Sequence, residues 1–368
     1  MKMISKDDLQ SKTIDCLRFP LCVGVVLIHS ELFQLTIGGG KIIQHESLFP
    51  IYHHFSYLIG SIANIAVPLF FFISGFLFFY KVDKFSRNIY IYKIKKRAKT
   101  LLVPYIFWNL LMLLMVFVSQ LLFPDMTSGK KKLIVDYSLY DWLSAFWAIS
   151  NKGEAARVPI DYPLWFIRDL MIVMLCSPLV FFCIKKIRIY CVIILGVLYL
   201  FPLWKDVTGL SLTAWFYFIA GAWFSINKKN FVECKKPIAV YVTLIYIMVL
   251  LFLTLFMGNL GDNSITFKRI SILIGIVCAI TLSACYIERG GRVNTFLSKS
   301  CFFIFAYHAL VLSTIQRLVI KLLQPQSDLT LVISYLLAPT ITICIGLLAY
   351  YCLRRWFPNV MPFVTGGR

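Results

Sequence analysis

The chain has 368 residues, of which 60% are hydrophobic and 15% are charged, with a mean hydropathy of +0.79. Soluble domains contain roughly 45–50% apolar and about 25% charged residues, so this composition excludes a soluble globular domain, a disordered chain and a disulfide scaffold. The 37 Lys and Arg against 17 Asp and Glu give a net charge of +20, which fits either a nucleic-acid surface or the basic cytoplasmic loops of a membrane protein.

Ten segments are long and apolar enough to cross a bilayer core of roughly 30 Å, for which a helix needs about 20 mostly apolar residues. We therefore predict an all-α, polytopic membrane protein with ten transmembrane helices. The predicted helices span residues 17–37, 57–80, 101–123, 163–184, 189–204, 212–227, 238–258, 266–287, 297–323 and 329–353. The fifth and sixth are short, which is typical of tilted helices or of a break near Pro202. No internal repeat or linker is visible, so residues 1–368 are predicted to form one membrane domain without an appended soluble domain.

Ten spans place both termini on one side of the membrane, and the basic residues indicate which side. When residues near the ends of spans are counted with the adjoining side, that side has 25 Lys and Arg residues and the other has 10, while Arg168 and Arg317 are counted within spans. Because cytoplasmic loops carry the excess of Lys and Arg, both termini are predicted to be cytoplasmic. This topology accounts for the net charge, so no nucleic-acid partner is expected. No cleavable signal peptide is expected before the first apolar segment.

The 11 Cys residues include no CxxC pair, and they fall in predicted spans or on the predicted cytoplasmic side. We interpret them as small apolar packing residues rather than as disulfide partners or metal ligands, and no metal is expected.

The first span carries Arg18 and His29, which are eleven residues apart. Eleven steps of 100° come within about 20° of three full turns, so the two side chains share one helix face, about 16 Å apart along the axis. Asp15 is placed to pair with Arg18 at the helix entrance, whereas the spacing of Glu31 from His29 does not favour direct pairing. His29 is either a buried neutral histidine bonded to a neighbouring carbonyl or a functional base near the midplane.

The second span contains Pro68 and the pair Ser74–Gly75. A proline frees a backbone carbonyl and a serine–glycine pair lets two helices approach closely. This segment is therefore predicted to serve packing rather than chemistry.

Residues 81–100 carry eight Lys and Arg and one acid, Asp83. They are suited either to contact anionic lipid headgroups or to bind the phosphates of a cytoplasmic ligand. The basic residues run directly into the third span, which favours the second interpretation.

Two features follow on the predicted outer side. Residues 139–149 are typical of an interfacial helix, with Trp142 and Trp147 at headgroup level. Arg168 and Asp169, in the outer half of the fourth span, form either a structural ion pair or part of a polar site reached from outside.

The ninth span carries His308 near the predicted midplane and Arg317 in its outer half, where Arg317 could line the same cavity as Arg168. Two mid-membrane histidines among five in the chain favour a functional site over packing. Basic charge inside, a titratable imidazole midway and polar residues outside suit transfer of a group from a cytoplasmic donor to an outer acceptor. The same arrangement suits a proton-coupled transporter.

In this order, the motifs resemble the acyltransferase family 3 group of integral membrane O-acyltransferases, which modify bacterial cell-surface and capsular carbohydrates. The resemblance covers essentially the whole chain. The matching segments are Asp-Cys-Leu-Arg followed by His29 at the family's Arg-x10-His spacing (15–29), the proline and serine–glycine segment (68–76), the end of the basic stretch (96–105), Leu-Trp-Phe-Ile-Arg-Asp-Leu (164–170) and Phe-Ala-Tyr-His (305–308).

The resemblance implies an acyl-coenzyme A-dependent O-acyltransferase of the bacterial inner or plasma membrane. It would transfer an acyl group, most often acetyl, to a hydroxyl of a cell-surface or lipid-linked glycan. Many relatives carry a fused extracellular domain that this chain lacks, so direct action on a lipid-linked or exported glycan is expected.

The resemblance also implies roles for individual residues. His29 would be the catalytic base, and Arg18, paired with Asp15, would orient the donor or the histidine. His308 would hold the acceptor or relay a proton. The family's Arg-x-x-Arg before the third span is matched at Arg97 but has Thr100 at its second position. The remaining candidates are donor-binding residues (Lys93, Lys96, Arg97 and Lys99) and acceptor-binding residues (Glu31, Trp165, Arg168, Asp169 and Tyr307).

We expect a ternary complex in which His29 takes the acceptor proton and Arg18 or Tyr307 stabilises the oxyanion. An acyl-enzyme route would instead need a nucleophile such as Ser30 or Cys22 beside the base. The alternatives in other classes are a proton-coupled transporter of a small anion or acylated product, and a non-catalytic envelope protein. No inverted repeat of the transporter kind is visible.

Overall fold

A computed structural model describes residues 5–32, 36–37, 40–41, 49–123, 132–151, 154–155, 158–204, 207–232, 239–256 and 260–367. Helices form nearly all of the regular structure in this part of the chain. In chain order they are α1 (Lys6–Ile28), α2 (Pro50–Ala63), α3 (Ala66–Phe79), α4 (Arg87–Arg97), α5 (Val103–Leu122), α6 (Leu139–Trp147), α7 (Trp165–Leu175), α8 (Ser177–Ile187), α9 (Tyr190–Leu200), α10 (Leu212–Ile226), α11 (Ala239–Phe256), α12 (Ser264–Glu288), α13 (Thr295–Leu323), α14 (Asp328–Trp356) and α15 (Met361–Thr365).

The other elements are short. Turns of 3-10 helix form at Ile134–Asp136, Tyr162–Leu164 and Gly261–Asn263. Two antiparallel pairs of two-residue strands connect helices: β1 (Thr36–Ile37) with β2 (Gly40–Lys41), and β3 (Ser150–Asn151) with β4 (Glu154–Ala155).

The all-helical class is confirmed, and each of the ten predicted spans overlaps a helix. Six helical segments are long and apolar enough to cross a membrane by themselves: Pro50–Phe79, Arg87–Leu122, Ala239–Phe256, Ser264–Glu288, Thr295–Leu323 and Asp328–Trp356. A seventh is the pair Tyr162–Leu175 and Ser177–Ile187, bent by 62°. The described chain is therefore a multi-pass protein with six or seven clear candidate spans, and ten spans with cytoplasmic termini stay a prediction.

Helix α1 begins and ends earlier than predicted. Ser5 caps its N-terminus by accepting a hydrogen bond from the Asp8 amide at 3.2 Å. Asp7 and Asp8 lie in the first turn, where their negative charges interact favourably with the positive end of the helix dipole. The helix ends at Ile28, so His29 is the C-cap residue rather than a residue inside a span that extends to 37.

The basic stretch 81–100 is mostly helical rather than a loop. Ser86 caps α4, and a π-helical turn at Ala98–Leu102 joins α4 to α5. Pro104 has no amide hydrogen to donate to the Thr100 carbonyl four residues earlier, and the Val103 amide donates instead to Ala98, five residues earlier. The missing donor at Pro104 explains why the helix widens here.

The predicted close approach at Ser74–Gly75 is confirmed at the contact between α3 and α10. A Cβ atom on Gly75 would overlap the Phe218 carbonyl, and one on Gly221 would overlap the Phe72 carbonyl. Each helix therefore places a glycine against the backbone of the other, and the absence of a side chain at both positions permits this close contact.

Helices α1 and α13 also pack directly against each other. The buried Cys22 thiol of α1 donates a hydrogen bond to the Cys301 carbonyl of α13 at 3.3 Å. This contact fixes the two helices side by side, one ending at His29 and the other carrying His308.

Candidate active site

The two histidines singled out in the sequence lie against each other. The ring centroids of His29 and His308 are 5.5 Å apart, and the ring planes differ by 23°. His308 is fully buried and His29 is partly buried. The α1–α13 packing thus assembles a stacked imidazole pair from residues that are distant in the sequence.

The hydrogen bonds of His308 fix which of its nitrogens is free. Its Nδ1 lies 2.6 Å from the Phe305 carbonyl and 3.3 Å from the Ile304 carbonyl, so Nδ1 is the donor and Nε2 keeps its lone pair. Nε2 has no hydrogen-bond partner among the described residues. The ring of His29 likewise makes no hydrogen bond within the described part of the chain.

Tyr162 completes the cluster, although the sequence analysis did not identify it. Its ring meets His29 edge-on at a centroid distance of 4.7 Å and His308 at 6.4 Å. The tyrosine lies in the 3-10 turn that leads into α7, immediately before the recognised segment 164–170. Nothing in the sequence distinguishes Tyr162 from the other tyrosines among the 19 except its position just before the segment 164–170.

The neighbouring Asp161 is an unusual carboxylate that was also missed. It is fully buried, and neither carboxylate oxygen has a hydrogen-bond partner among the described residues. Its backbone is well held, since its amide donates to Asn109 Oδ1 at 3.2 Å and its carbonyl accepts from the Leu164 amide at 3.0 Å. Burial of a charged carboxylate without a hydrogen-bond or ion-pair partner costs free energy, so Asp161 is either protonated here or paired with a bound ligand.

Arg168 and Asp169 form a buried ion pair. Nε and Nη2 of Arg168 each lie 2.9 Å from Asp169 Oδ1, and Nη1 donates to the Trp147 carbonyl at the end of α6. These contacts tie α7 to α6 and support the structural interpretation of the pair. Arg317 is exposed on α13 and shares no contact with the pair among the residues described.

The other proposed acceptor contacts lie apart from the histidine rings. Tyr307 stacks on Phe303 at 5.7 Å and packs against Gly346 of α14. Trp165 packs against Phe71 at 6.3 Å, and Glu31 is exposed beside Gly60 of α2. None of the three forms a ring contact with His29 or His308 in the described structure.

Both nucleophiles that an acyl-enzyme route would require are engaged elsewhere. The hydroxyl of the buried Ser30 donates to the Val26 carbonyl at 2.7 Å, and Cys22 is held by the Cys301 carbonyl.

At the opposite end of α1 the predicted pairing is confirmed. Arg18 lies 3.1 Å from Asp15, and both side chains are partly exposed. They line a cavity of about 660 Å³ between α1 and the start of α13.

The four predicted donor-binding residues lie on α4 and the π-helical turn, and none of them lines that cavity. Lys96 and Lys99 are exposed, Arg97 is partly buried, and Lys93 donates to the Phe78 carbonyl. The structure thus contains two separate basic regions.

Comparison with known proteins gives a consistent picture. The sequence model of the acyltransferase domain family matches residues 11–351. The succinoglycan biosynthesis protein ExoH of Rhizobium meliloti (strain 1021) is 24% identical over 367 residues, covering 97% of this chain and 92% of that protein. No solved structure matches the chain.

Proposed function

The chain belongs to the acyltransferase domain family, acyltransferase family 3, and from this membership we propose that it transfers an acetyl group from cytoplasmic acetyl-coenzyme A to a hydroxyl of a cell-surface or lipid-linked glycan. Longer acyl groups would follow the same chemistry. The family match and the apolar helices support a multi-pass membrane acyltransferase.

The observation that carries the proposal is the His29–His308 pair. Two imidazoles at 5.5 Å repel each other when both are cations, so the pair keeps at least one neutral base. An enzyme that transfers an acyl group to a hydroxyl requires such a base. The edge-on contact with Tyr162 holds the His29 ring in place.

We assign the steps as follows. His29 takes the proton of the acceptor hydroxyl while the oxygen attacks the thioester carbonyl. The carbon–sulfur bond then breaks, the ester forms, and the coenzyme A thiolate takes up a proton from the imidazolium. His308, with Nδ1 fixed to the backbone, presents Nε2 as a hydrogen-bond acceptor for the second substrate or for the proton relay.

Arg18 serves the donor rather than the oxyanion in this scheme. It is paired with Asp15 near the start of the face that ends at His29, about 16 Å away along the helix axis. That distance excludes direct contact with a thioester carbonyl at His29 and suits contact with the far end of an extended donor.

The glycan acceptor is supported by the family and by the similarity to ExoH, whose name assigns that relative to succinoglycan biosynthesis. A glycan presents many hydroxyls of similar reactivity, so selection of one of them would require the acceptor to be held against the histidine pair.

The first prediction tests the base. His29→Ala is expected to keep acetyl-coenzyme A binding within about threefold and to lose at least about 100-fold in coenzyme A release, because general-base catalysis typically contributes 10²–10⁴-fold. Binding is measured by calorimetry on purified protein, and release by thiol titration with the exported glycan present.

His54→Ala is the matched control, because His54 is exposed and its Nδ1 pairs with the Thr254 carbonyl away from the site. Full turnover by His29→Ala would show that His29 is not the general base. Movement of solute across vesicles without consumption of acetyl-coenzyme A would instead identify a transporter.

A further inference from the structure

A cavity opens at the end of α1 remote from His29. This α1–α13 cavity has a volume of about 660 Å³ and is lined by α1, by the end of α12 with its following turn, and by the first turns of α13. A second cavity of about 440 Å³ adjoins it and shares Asp15, Arg292, Val293 and Ser298 as lining residues.

Positive charge dominates the lining of the α1–α13 cavity. Lys12 and Arg18 contribute from α1, and Arg292 and Lys299 contribute from the other wall, against Asp15 alone. Asp15 is already occupied, since it pairs with Arg18 at 3.1 Å.

Arg292 and Lys299 are the two lining cations whose charges no nearby carboxylate balances in the part of the chain described. Both are exposed, and neither forms an ion pair within the described residues. Exposed, unpaired Lys and Arg that face one cavity are suited to bind phosphate oxygens through charge-assisted hydrogen bonds.

The backbone of the same wall adds donors. Asn294 caps α13 by accepting from the Leu297 amide at 3.2 Å, and the 29-residue helix turns its positive end toward the cavity. Gly290 precedes it with φ of +90°, and no atom lies within 4 Å of the place a Cβ would take, so the turn leaves room for a bulky anion.

The cavity and the histidine pair are joined by the same two helices. From Arg18 to His29 along α1 is about 16 Å, and from Lys299 to His308 along α13 is about 14 Å. A ligand that holds its phosphates in the cavity therefore needs an extended arm of about that length to reach the imidazoles. The hydrogen bond from the Cys22 thiol to the Cys301 carbonyl joins the two helices between the cavity and the histidine pair, so such an arm has to pass beside this contact rather than through it.

Coenzyme A thioesters combine these features, with phosphates at one end and the thioester at the end of a long flexible arm. We propose that the α1–α13 cavity binds the phosphate groups of the acyl-coenzyme A donor, with Arg292 and Lys299 as its principal phosphate ligands. This inference rests on the proposed function and relocates the donor phosphates from α4 to α13. The basic face of α4 is then left for anionic lipid headgroups.

The test measures acetyl-coenzyme A affinity of the purified full chain by calorimetry. Arg292→Ala and Lys299→Ala are each expected to raise Kd about fivefold or more, and the double variant about 20-fold or more. Arg289→Ala is the matched control, because it is an exposed arginine of the same segment that does not line the cavity. Its Kd is expected to stay within twofold of wild type. All three substituted side chains are exposed, so thermal unfolding of the variants should match wild type.

Two further arms separate the sources of phosphate. Adenosine 3′,5′-bisphosphate is expected to displace acetyl-coenzyme A from the wild type. In the double variant it is expected no longer to do so at the same concentration. Displacement by phosphatidylglycerol micelles but not by the nucleotide would assign the cavity to lipid headgroups and overturn the proposal.

The inference and the proposed function fail differently. If Lys96→Ala and Lys99→Ala weaken acetyl-coenzyme A binding while the Arg292 and Lys299 variants do not, the donor binds on α4 and only the inference is overturned. If wild type binds no acyl-coenzyme A and releases no coenzyme A, the proposed function is overturned together with it.

Discussion

At the histidine pair, the two rings differ in how firmly the protein holds each of them. His308 donates from Nδ1 to the Phe305 carbonyl at 2.6 Å, which fixes its tautomer. His29 is held by ring contacts with Tyr162 and His308 and makes no hydrogen bond to the described residues. This difference supports His29 as the group that changes protonation and His308 as its fixed neighbour.

The burial of Asp161 leads to a prediction about stability. Asp161→Asn keeps the side-chain volume and removes a buried carboxylate whose oxygens have no partner in the described structure. The free energy of unfolding in detergent is expected to stay the same or to rise by about 1 kcal/mol. The contrasting variant is Asp169→Asn, which breaks the buried pair with Arg168 and is expected to lower stability by about 3–5 kcal/mol. Equal losses in the two variants would contradict the unpartnered state of Asp161.

The sequence predicted only those residues of the candidate site whose titratable side chains are energetically unfavourable in an apolar segment. His29, His308, Arg168 and Asp169 were found because titratable groups in apolar segments need a reason. Tyr162 is unremarkable in an aromatic-rich chain, and its role depends on a turn that brings it to both imidazoles. The proximity of His29 to His308 depends on the packing of α1 against α13, which no local pattern encodes.

Among the elements, α6 owes its start to a local cap. Ser138 and Asp141 form a capping box, and Lys132 pairs with Asp141 at 2.5 Å. The Lys132 ammonium, followed by the bonds from Ser138, lowers the pKa of Asp141 from its ordinary value of 3.8 to about 2.

This depressed pKa gives the cap a pH dependence. A carboxyl whose pKa is lower in the folded state adds stability above pH about 4 and loses it as the pH falls toward 2. Amide hydrogen exchange in α6 is therefore expected to accelerate between pH 4 and 2 in the wild type relative to Asp141→Asn. The same acceleration in both proteins would assign the change to another group.

The α3–α10 contact predicts strong sensitivity to a single methyl group. Gly75→Ala and Gly221→Ala each place Cβ on a backbone carbonyl of the facing helix, so the helices must separate. Each is expected to lower the free energy of unfolding by about 3 kcal/mol or more, as seen for severe overpacking.

Gly60→Ala in α2 is the control for this pair. A Cβ there would meet only the Glu31 carboxylate at 3.4 Å, an ordinary contact. That variant is expected to be neutral or up to about 1 kcal/mol more stable, since alanine favours a helix over glycine. Thermal unfolding in detergent measures all three.

Element boundaries show where the apolar pattern was insufficient. Span prediction detects apolar length, so it started the first helix near residue 17 and missed the polar turns that Ser5 caps. It also treated the Lys-rich stretch as a loop, although lysine is a good helix former and Ser86 provides a cap. The apolar helices themselves were predictable because burial in lipid leaves a continuous hydrophobic run.

For the whole molecule, the distribution of charge predicts the topology. From the ten predicted spans and the 25 basic residues on the side of the termini, we expect both ends in the cytoplasm, where green fluorescent protein fused to either end fluoresces and alkaline phosphatase stays inactive. Paired fusions of alkaline phosphatase and green fluorescent protein at residues 1 and 368 measure this. Opposite locations for the two ends would require an odd number of crossings and would contradict the ten-span topology.

The glycine contact between α3 and α10 also has a consequence for synthesis. Gly221 follows Gly75 by 146 residues, so at about 5–20 residues per second α3 leaves the ribosome roughly 7–30 s before its partner helix. During that interval the face of α3 that will meet a backbone has only lipid or the translocation machinery beside it. The nascent chain is therefore exposed to quality-control proteases until α10 arrives, and substitutions at Gly75 or Gly221 should reduce the amount of protein in the membrane even where the assembled enzyme is active.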